Sequence, residues 1–203
     1  MEILFHDTHV AVGVKPAGVL SQGTAQDLHT APGMVAQALG LKEIFPVHRL
    51  DRQTEGLMVF ALTQKAAASL SQAMVEGRVQ KQYLAKLNGV PDPLEGELTD
   101  LLFYDRRRNR AYTVDRKRAG VKEARLSYRV VEADAQGRTS TVRIWLHTGR
   151  THQIRVQFAS RRMPLLGDRA YGAPPWEGGV ALRAVFLSFP HPHTGERLTF
   201  ELE

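Results

Sequence analysis

The sequence predicts an α+β domain with more strand than helix. Three observations carry this. Short alternating or β-branched runs recur from residue 9 to residue 202. Only two segments show a clean helical spacing of apolar residues with matching end signals. The chain has 203 residues, 43% of them hydrophobic, which is enough to bury one full-sized core, and no internal repeat is visible.

Residues 9–15 alternate with a β-branched bias and read as a strand, stopped by Pro16-Ala17-Gly18. Residues 32–39 read as a short helix. Pro32 suits its first turn, Val35, Ala38 and Leu39 share a face, and Gly40 suits the exit. Residues 57–62 form a continuous apolar run, expected to be a buried strand. Thr63 is placed to cap a following helix. Ala66, Ala67, Leu70, Ala73 and Met74 repeat at three and four residues, and Gly77 suits its end. Strands are expected at 82–88, 125–132 and 140–147. In the last, Val142, Ile144 and Leu146 alternate with Arg143, Trp145 and His147. The stretch 152–159 is ambiguous: Ile154, Val156 and Phe158 fit a strand, while Ile154 and Phe158 fit one helical face. A strand at 198–202 closes the chain. The Pro/Gly-containing stretches 89–96 and 172–179 are short enough to be turns rather than linkers, so one domain over 1–203 is expected.

Composition narrows the functions. Cysteine is absent, which removes disulfides, zinc–thiolate sites and thiol nucleophiles, and fits a reducing cytoplasm. No apolar run reaches the length of a membrane span, and the first residues lack the pattern of a signal peptide. There is no phosphate-binding P-loop, dinucleotide fingerprint, nucleophile elbow or zincin motif. His191-Pro192-His193 has no carboxylates at ligand spacing and reads as a solvated turn rather than a metal site. The net charge of +6 points to a polyanionic partner, and its distribution is uneven. Residues 104–129 hold ten Lys/Arg against three acids, a net +7, so the remaining 177 residues sum to −1.

Three segments stand out for chemistry. His48-Arg49-Leu50-Asp51-Arg52 places an acid between two arginines, in a loop that feeds the apolar strand; a plain turn built on Asp51 and Gly56 is the other reading. Lys81-Gln82-Tyr83 puts a tyrosine at a strand start, where a half-buried aromatic is the usual case. Thr148-Gly149-Arg150-Thr151-His152-Gln153-Ile154-Arg155 packs more donors for phosphates and base edges than a turn needs, or else forms a solvated basic face.

Together these segments resemble the RluA family of RNA pseudouridine synthases. His48-Arg49-Leu50-Asp51-x-x-Thr54-x-Gly56 is similar to that family's catalytic-aspartate motif. Lys15-Pro16-x-Gly18 and Lys81-x-Tyr83 resemble its N-terminal and tyrosine motifs. The 148–155 segment, with Pro164-Leu165-Leu166-Gly167-Asp168 and Tyr171-Gly172, resembles its third motif. Leu182 and Phe189-Pro190-His191-Pro192-x-Thr194-Gly195 match near the C-terminus. Two positions depart: the family usually has Ser where Glu55 stands, and commonly His where Arg183 stands. Both lie beside the site, so they bear on substrate preference more than on activity. No S4-type RNA-binding module is expected ahead of the catalytic domain.

The resemblance implies a single catalytic domain: a large, mixed, mostly antiparallel, bent sheet flanked by helices and loops, with a central active-site cleft. It implies that a uridine in tRNA or rRNA becomes pseudouridine without metal or cofactor. Asp51 is the expected nucleophile at C1′ or the uracil ring, or a base at C2′. Arg155 occupies the position that pairs with the aspartate, and a cation there keeps a carboxylate ionised. Tyr83 is expected to stack on the uracil and accept its C5 proton, and Leu182 to cover the other face. Arg49 is expected to brace the vacated stack, and Arg150, His152 and Gln153 to hold flanking phosphates or bases. The basic segment, including Arg106, Arg107, Arg108 and Arg110, is expected to be a β-hairpin or loop flanking the cleft and gripping the RNA backbone. A monomer is the default. Two other functions remain open: an RNA-binding protein without catalysis, and a hydrolase using Asp51 with Glu55 as its second carboxylate. A methyltransferase of the cysteine-nucleophile kind is excluded by the missing cysteine.

Overall fold

The structure is a computed structural model that describes residues 1–203. In chain order the elements are β1 (Glu2–His6), β2 (Val10–Lys15), α1 (Ala31–Leu39), β3 (Phe45–Pro46), β4 (Glu55–Ala61), α2 (Gln64–Val75) and β5 (Gln80–Asn88). They continue with β6 (Glu95–Asp105), β7 (Arg110–Val114), β8 (Val121–Ala133), β9 (Thr139–Leu146), α3 (Gln153–Ala159), a 3-10 turn at Arg169–Tyr171, β10 (Leu182–Pro190) and β11 (Arg197–Glu201). The chain divides into two compact units: Met1–Lys81 with Arg183–Glu203, and Gln82–Leu182. The divisions fall inside β5 and β10, so the stretches at 89–96 and 172–179 are internal to the second unit.

In the first unit β2 pairs antiparallel with both β1 and β4, from Val10 opposite Ala61 to Lys15 opposite Gly56. The pairing of β4 with β10 is parallel, and β10 pairs antiparallel with β11. The apolar run at 57–61 is buried on both faces, which is why it shows no alternation. Val10, Val12, Leu57, Val59, Leu187 and Phe189 pack with Ala66 and Leu70 of α2. Helix α2 begins at its expected cap, Thr63, and α1 holds Pro32 in its first turn and gains a cap from Thr30 that the sequence reading did not assign. The side chains of Thr30 and Thr63 accept the N–H groups of Gly33 and Ala66, caps worth about 1 kcal/mol each. Gly40 ends α1 with φ 68°, a left-handed turn that glycine enters without Cβ strain.

The second unit is an antiparallel sheet in the order β5-β9-β8-β6-β7. Strands β6 and β7 form a hairpin whose turn carries Arg106, Arg107, Arg108 and Asn109, the shape expected for the basic segment. Asp105 stabilises that turn by accepting the N–H groups of Arg107 and Arg108. The ambiguous stretch is a helix, α3. Its apolar and polar side chains are buried alike, so the alternation of Ile154, Val156 and Phe158 with Gln153, Arg155 and Gln157 does not separate a core face from a wet one. The amide of Gln157, for example, donates to Asp100 at 2.7 Å. Val156 and Tyr171 pack with Leu102, Ala111 and Ala124. No helix is long and apolar enough to cross a membrane.

Candidate active site

Asp51 and Arg49 lie in the first unit, in the loop between β3 and β4, and polar contacts hold that loop along its length. The side chain of Lys15, at the end of β2, is fully buried. Its ammonium donates to the carbonyl oxygens of Pro16 and Val19, each at 2.9 Å, and of Arg52 at 3.2 Å. Burial pushes this ammonium down to about 8, while the carboxylates of Asp51 and Glu55 oppose the shift. Ser21 clasps the residue before the aspartate: its hydroxyl donates to the Leu50 carbonyl at 2.5 Å and accepts the Leu50 N–H at 3.0 Å. The Gly18 N–H reaches the Arg52 carbonyl, and Arg52 Nε returns a bond to the Gly18 carbonyl. The Thr54 N–H closes a turn on the Asp51 carbonyl. Leu50 is buried, Asp51 is half-buried and Arg49 is exposed. A backbone turn closed on the Asp51 carbonyl thus presents Asp51 on a braced loop.

Two more features brace it. His48 Nε2 accepts the Val59 N–H at 3.1 Å, so the ring proton sits on Nδ1, which is buried without a hydrogen-bond partner. Burial, aided by the charge of Lys81, pushes His48 down to about 3. Lys81 is itself pushed below the usual lysine range by burial. Gly56 has φ 119°, and a Cβ there would stand 2.2 Å from the Ala184 carbonyl oxygen, so only glycine lets β10 approach.

Glu55 and Arg183, the two departures from the family pattern, face each other across the β4–β10 pairing. Arg183 Nε lies 2.9 Å from Glu55 Oε1, and Arg183 Nη1 donates to the Glu203 carbonyl at 2.8 Å. The Nε–Oε1 contact lacks hydrogen-bond alignment, so it acts as a charge pair on a partly exposed surface.

The other candidates lie in the second unit. Tyr83 in β5 and Leu182 at the start of β10 are both buried. Arg155 on α3 is buried and makes a bidentate pair with Asp168, Nε to Oδ2 at 2.7 Å and Nη2 to Oδ1 at 2.9 Å. Its guanidinium also lies over the Tyr171 ring, 5.1 Å from the centroid. His152 adopts φ 56° ahead of α3, and its Nδ1 meets the Tyr171 hydroxyl at 3.0 Å. That hydroxyl also accepts the Ala111 N–H. Gln153 is buried. Its carbonyl oxygen accepts from the Thr148 hydroxyl and the Arg150 N–H, and its amide donates to the Arg125 carbonyl. The group expected to reach RNA is thus committed to shaping the turn at 148–150. Arg150 Nε donates to the Glu123 carbonyl at 2.8 Å. Arg106, Arg107, Arg108 and Arg110 are exposed, and Arg110 rests over the rings of Tyr112 and Tyr171.

Sequence reasoning gave no role to Lys15, Ser21, Asp168 or Tyr171. Lys15 stands in the N-terminal motif and Asp168 and Tyr171 in the third, which were the available signals. Nothing in the sequence marks Ser21, whose partner is 29 residues away.

Comparison with known proteins places this arrangement. The family profile described as RNA pseudouridylate synthase matches residues 9–160. The dual-specificity RNA pseudouridine synthase RluA of Escherichia coli K12 is 36% identical over 98% of this chain and 91% of its own length. An uncharacterized RNA pseudouridine synthase of Aquifex aeolicus is 32% identical over 100% of this chain and 69% of its own. Among solved structures, human RNA pseudouridylate synthase domain containing 1 superposes with a TM-score of 0.79 at 26% identity, covering 100% of this chain and 82% of that one. Human RNA pseudouridylate synthase domain containing 4 shares the fold, with a TM-score of 0.80 at 23% identity over 100% of this chain and 88% of that one. The motifs, the antiparallel strand pairings and this match over nearly the whole length agree: the chain belongs to the RNA pseudouridine synthases of the RluA type, which are isomerases.

Proposed function

We propose that Asp51 drives the conversion of uridine to pseudouridine within tRNA or rRNA, with the whole chain acting as one catalytic domain and needing no metal or cofactor. The observation that carries this reading is the braced loop. The half-buried Asp51 sits on a loop whose backbone is bound on either side of it, at Leu50 by Ser21 and at Arg52 by buried Lys15, which is more structure than a binding surface requires. In the reaction the N1–C1′ bond breaks, the uracil turns, a C5–C1′ bond forms, the proton on C5 leaves to a base, and N1 takes up a proton, so that product and substrate are isomers. Asp51 supplies the ionised carboxylate and Tyr83 the acceptor for that proton. Tyr83 and Leu182 hold the detached uracil and exclude water, which would otherwise leave an abasic site. Arg155 keeps Asp51 ionised, and its own bidentate bond to Asp168 sets its position. The target nucleotide leaves its stack, at about a few kcal/mol, and Arg49 braces the gap. Gln153 acts by shaping the turn that carries Arg150, and His152 by its contacts with Tyr104 and Tyr171. The basic hairpin grips the RNA backbone. A ribosomal large subunit pseudouridine synthase D of Neisseria meningitidis, 34% identical over 99% of this chain and 57% of its own length, supports rRNA as one target. A cytoplasmic monomer fits this role.

The hydrolase reading needs Glu55 as its second carboxylate, and the countercharge of Arg183 beside it favours the ionised form over the protonated acid that reading requires. The test is tritium release from RNA carrying 5-³H-uridine. Release by the wild type and none by Asp51→Ala is the expected result. Free uracil would mean hydrolysis, and tight binding without release would mean a binder. Arg155→Lys should lower kcat more than it raises KM for RNA, and an effect confined to KM would overturn the role given to Arg155.

A further inference from the structure

A cavity of about 330 Å³ opens in the second unit, beside the basic hairpin and away from the braced loop in sequence. Its size is near the lower end of small-molecule sites. One sheet face forms its floor. Leu102 and Tyr104 are two residues apart on β6, Tyr104 is paired with Ala111 of β7, and Leu102 is paired with Lys122 of β8. Arg106 of the hairpin turn and the 149–151 turn add to the lining. The lining therefore contains three cations, Arg106, Lys122 and Arg150, and no carboxylate.

Several parts are fixed in advance. Arg150 is tied by Nε to the Glu123 carbonyl and by its N–H to the Gln153 side chain. Tyr104 is held through its hydroxyl on Asn109 and by an edge contact with His152. A Cβ on Gly149 would meet nothing within 4 Å, so this turn leaves the space beside it open. Cations collected without acids call for an anion, and an ordered, partly exposed tyrosine ring calls for a flat apolar group beside it. A nucleotide carries both.

We infer that this cavity binds one unpaired nucleotide of the RNA strand other than the target uridine, with its phosphate on Arg106, Lys122 and Arg150 and its base against Tyr104. The inference rests on RNA being the substrate, but its test does not depend on Asp51. Such a pocket would fix which nucleotide beside the target must be splayed out, and so contribute to the choice of RNA.

Binding of AMP, adenosine and inorganic phosphate should be followed by amide NMR shifts, in the wild type and in Asp51→Ala. AMP should shift Gly149 and Gly120 in both proteins, more tightly than adenosine or phosphate alone. A short single-stranded RNA should displace it. Lys122→Gln and Arg106→Gln should each weaken AMP about ten- to a hundredfold, the usual worth of a charged hydrogen-bond donor. Gly149→Leu, which fills the cavity without changing its charge, should abolish the shifts. Phosphate binding as tightly as AMP would reduce the site to an anion site and overturn the inference. So would AMP shifts unaffected by these variants, or RNA that fails to displace AMP. AMP binding without tritium release in the wild type would uphold the pocket and defeat the proposed reaction.

Discussion

The loop of Asp51 and the helix of Arg155 each present a charged side chain, and they are built on opposite principles. The loop is irregular backbone, and side-chain donors bind its carbonyls: Ser21 takes that of Leu50, and Lys15 takes that of Arg52 together with those of Pro16 and Val19 in the segment after β2. Helix α3 satisfies its own backbone, so its polar side chains are spent on other side chains and on the sheet. Arg155 takes Asp168 and Gln157 takes Asp100. An acid can be placed by a lattice of neutral carbonyls gathered around one buried ammonium. A guanidinium needs a countercharge of its own, because burying it unpaired costs several kcal/mol.

This difference can be broken from either side. Asp168→Ala should have the largest effect, since it takes the bidentate partner from a buried guanidinium; a loss of about 3–5 kcal/mol in urea unfolding is expected. Asp168→Asn should recover part of it. Lys15→Met should cost less, about 2–3 kcal/mol, because it leaves carbonyls rather than a charge unsatisfied. It should also lower kcat for tritium release by loosening the loop. A Lys15→Met protein as stable and active as the wild type would end the account of the braced loop.

Titration sharpens the same contrast. His48 has a folded pKa of about 3, below the ordinary 6.5, so the unfolded chain takes up its proton first as pH falls. Its contribution to stability is whole above pH 6.5 and is lost toward about 3. Urea titrations at about pH 4 and about pH 7 should show the wild type losing more stability than His48→Gln. Lys15 acts at the alkaline end: the folded state sheds its proton near 8 and the unfolded chain near 10.5, so this group adds stability as pH rises between them. Lys15→Met should lack that rise. The smallest effect is expected from Glu55 and Arg183. Their pair is partly exposed, so a double-mutant cycle through Glu55→Gln and Arg183→Gln should give a coupling of about 0.5 kcal/mol. A coupling several times larger would mean the pair does more than hold charge on a surface.

Much of the fold was legible where local signals and tertiary packing agree. Thr63, Pro32 and Gly40 mark helix ends because caps are local chemistry. The strand from residue 10 and the run from 57 follow from burial. Strands β1, β6 and β10 were harder to read. The first is short and half-exposed, β6 mixes acids into its apolar positions, and β10 is largely buried and carries Arg183 as its second residue. Helix α3 defeated periodicity because its polar side chains are buried too. At the site, the motif placed Asp51, Arg155 and their neighbours. Lys15 stood in the N-terminal motif, but nothing in a motif shows that its ammonium reaches the carbonyl of Arg52, 37 residues on. Three carbonyls converge on Lys15 only after the chain folds.

Tyr171 answers to more partners than its place in a short turn suggests. Its hydroxyl serves Ala111 and His152, and the guanidinium groups of Arg110 and Arg155 each lie 5.1 Å from its ring centre. The hairpin, the turn ahead of α3 and α3 itself therefore share one side chain. Phenylalanine would keep the cations and forfeit the hydroxyl, and histidine or leucine would lose most of both. The position has almost no room to drift, and a saturation library there should return tyrosine nearly alone.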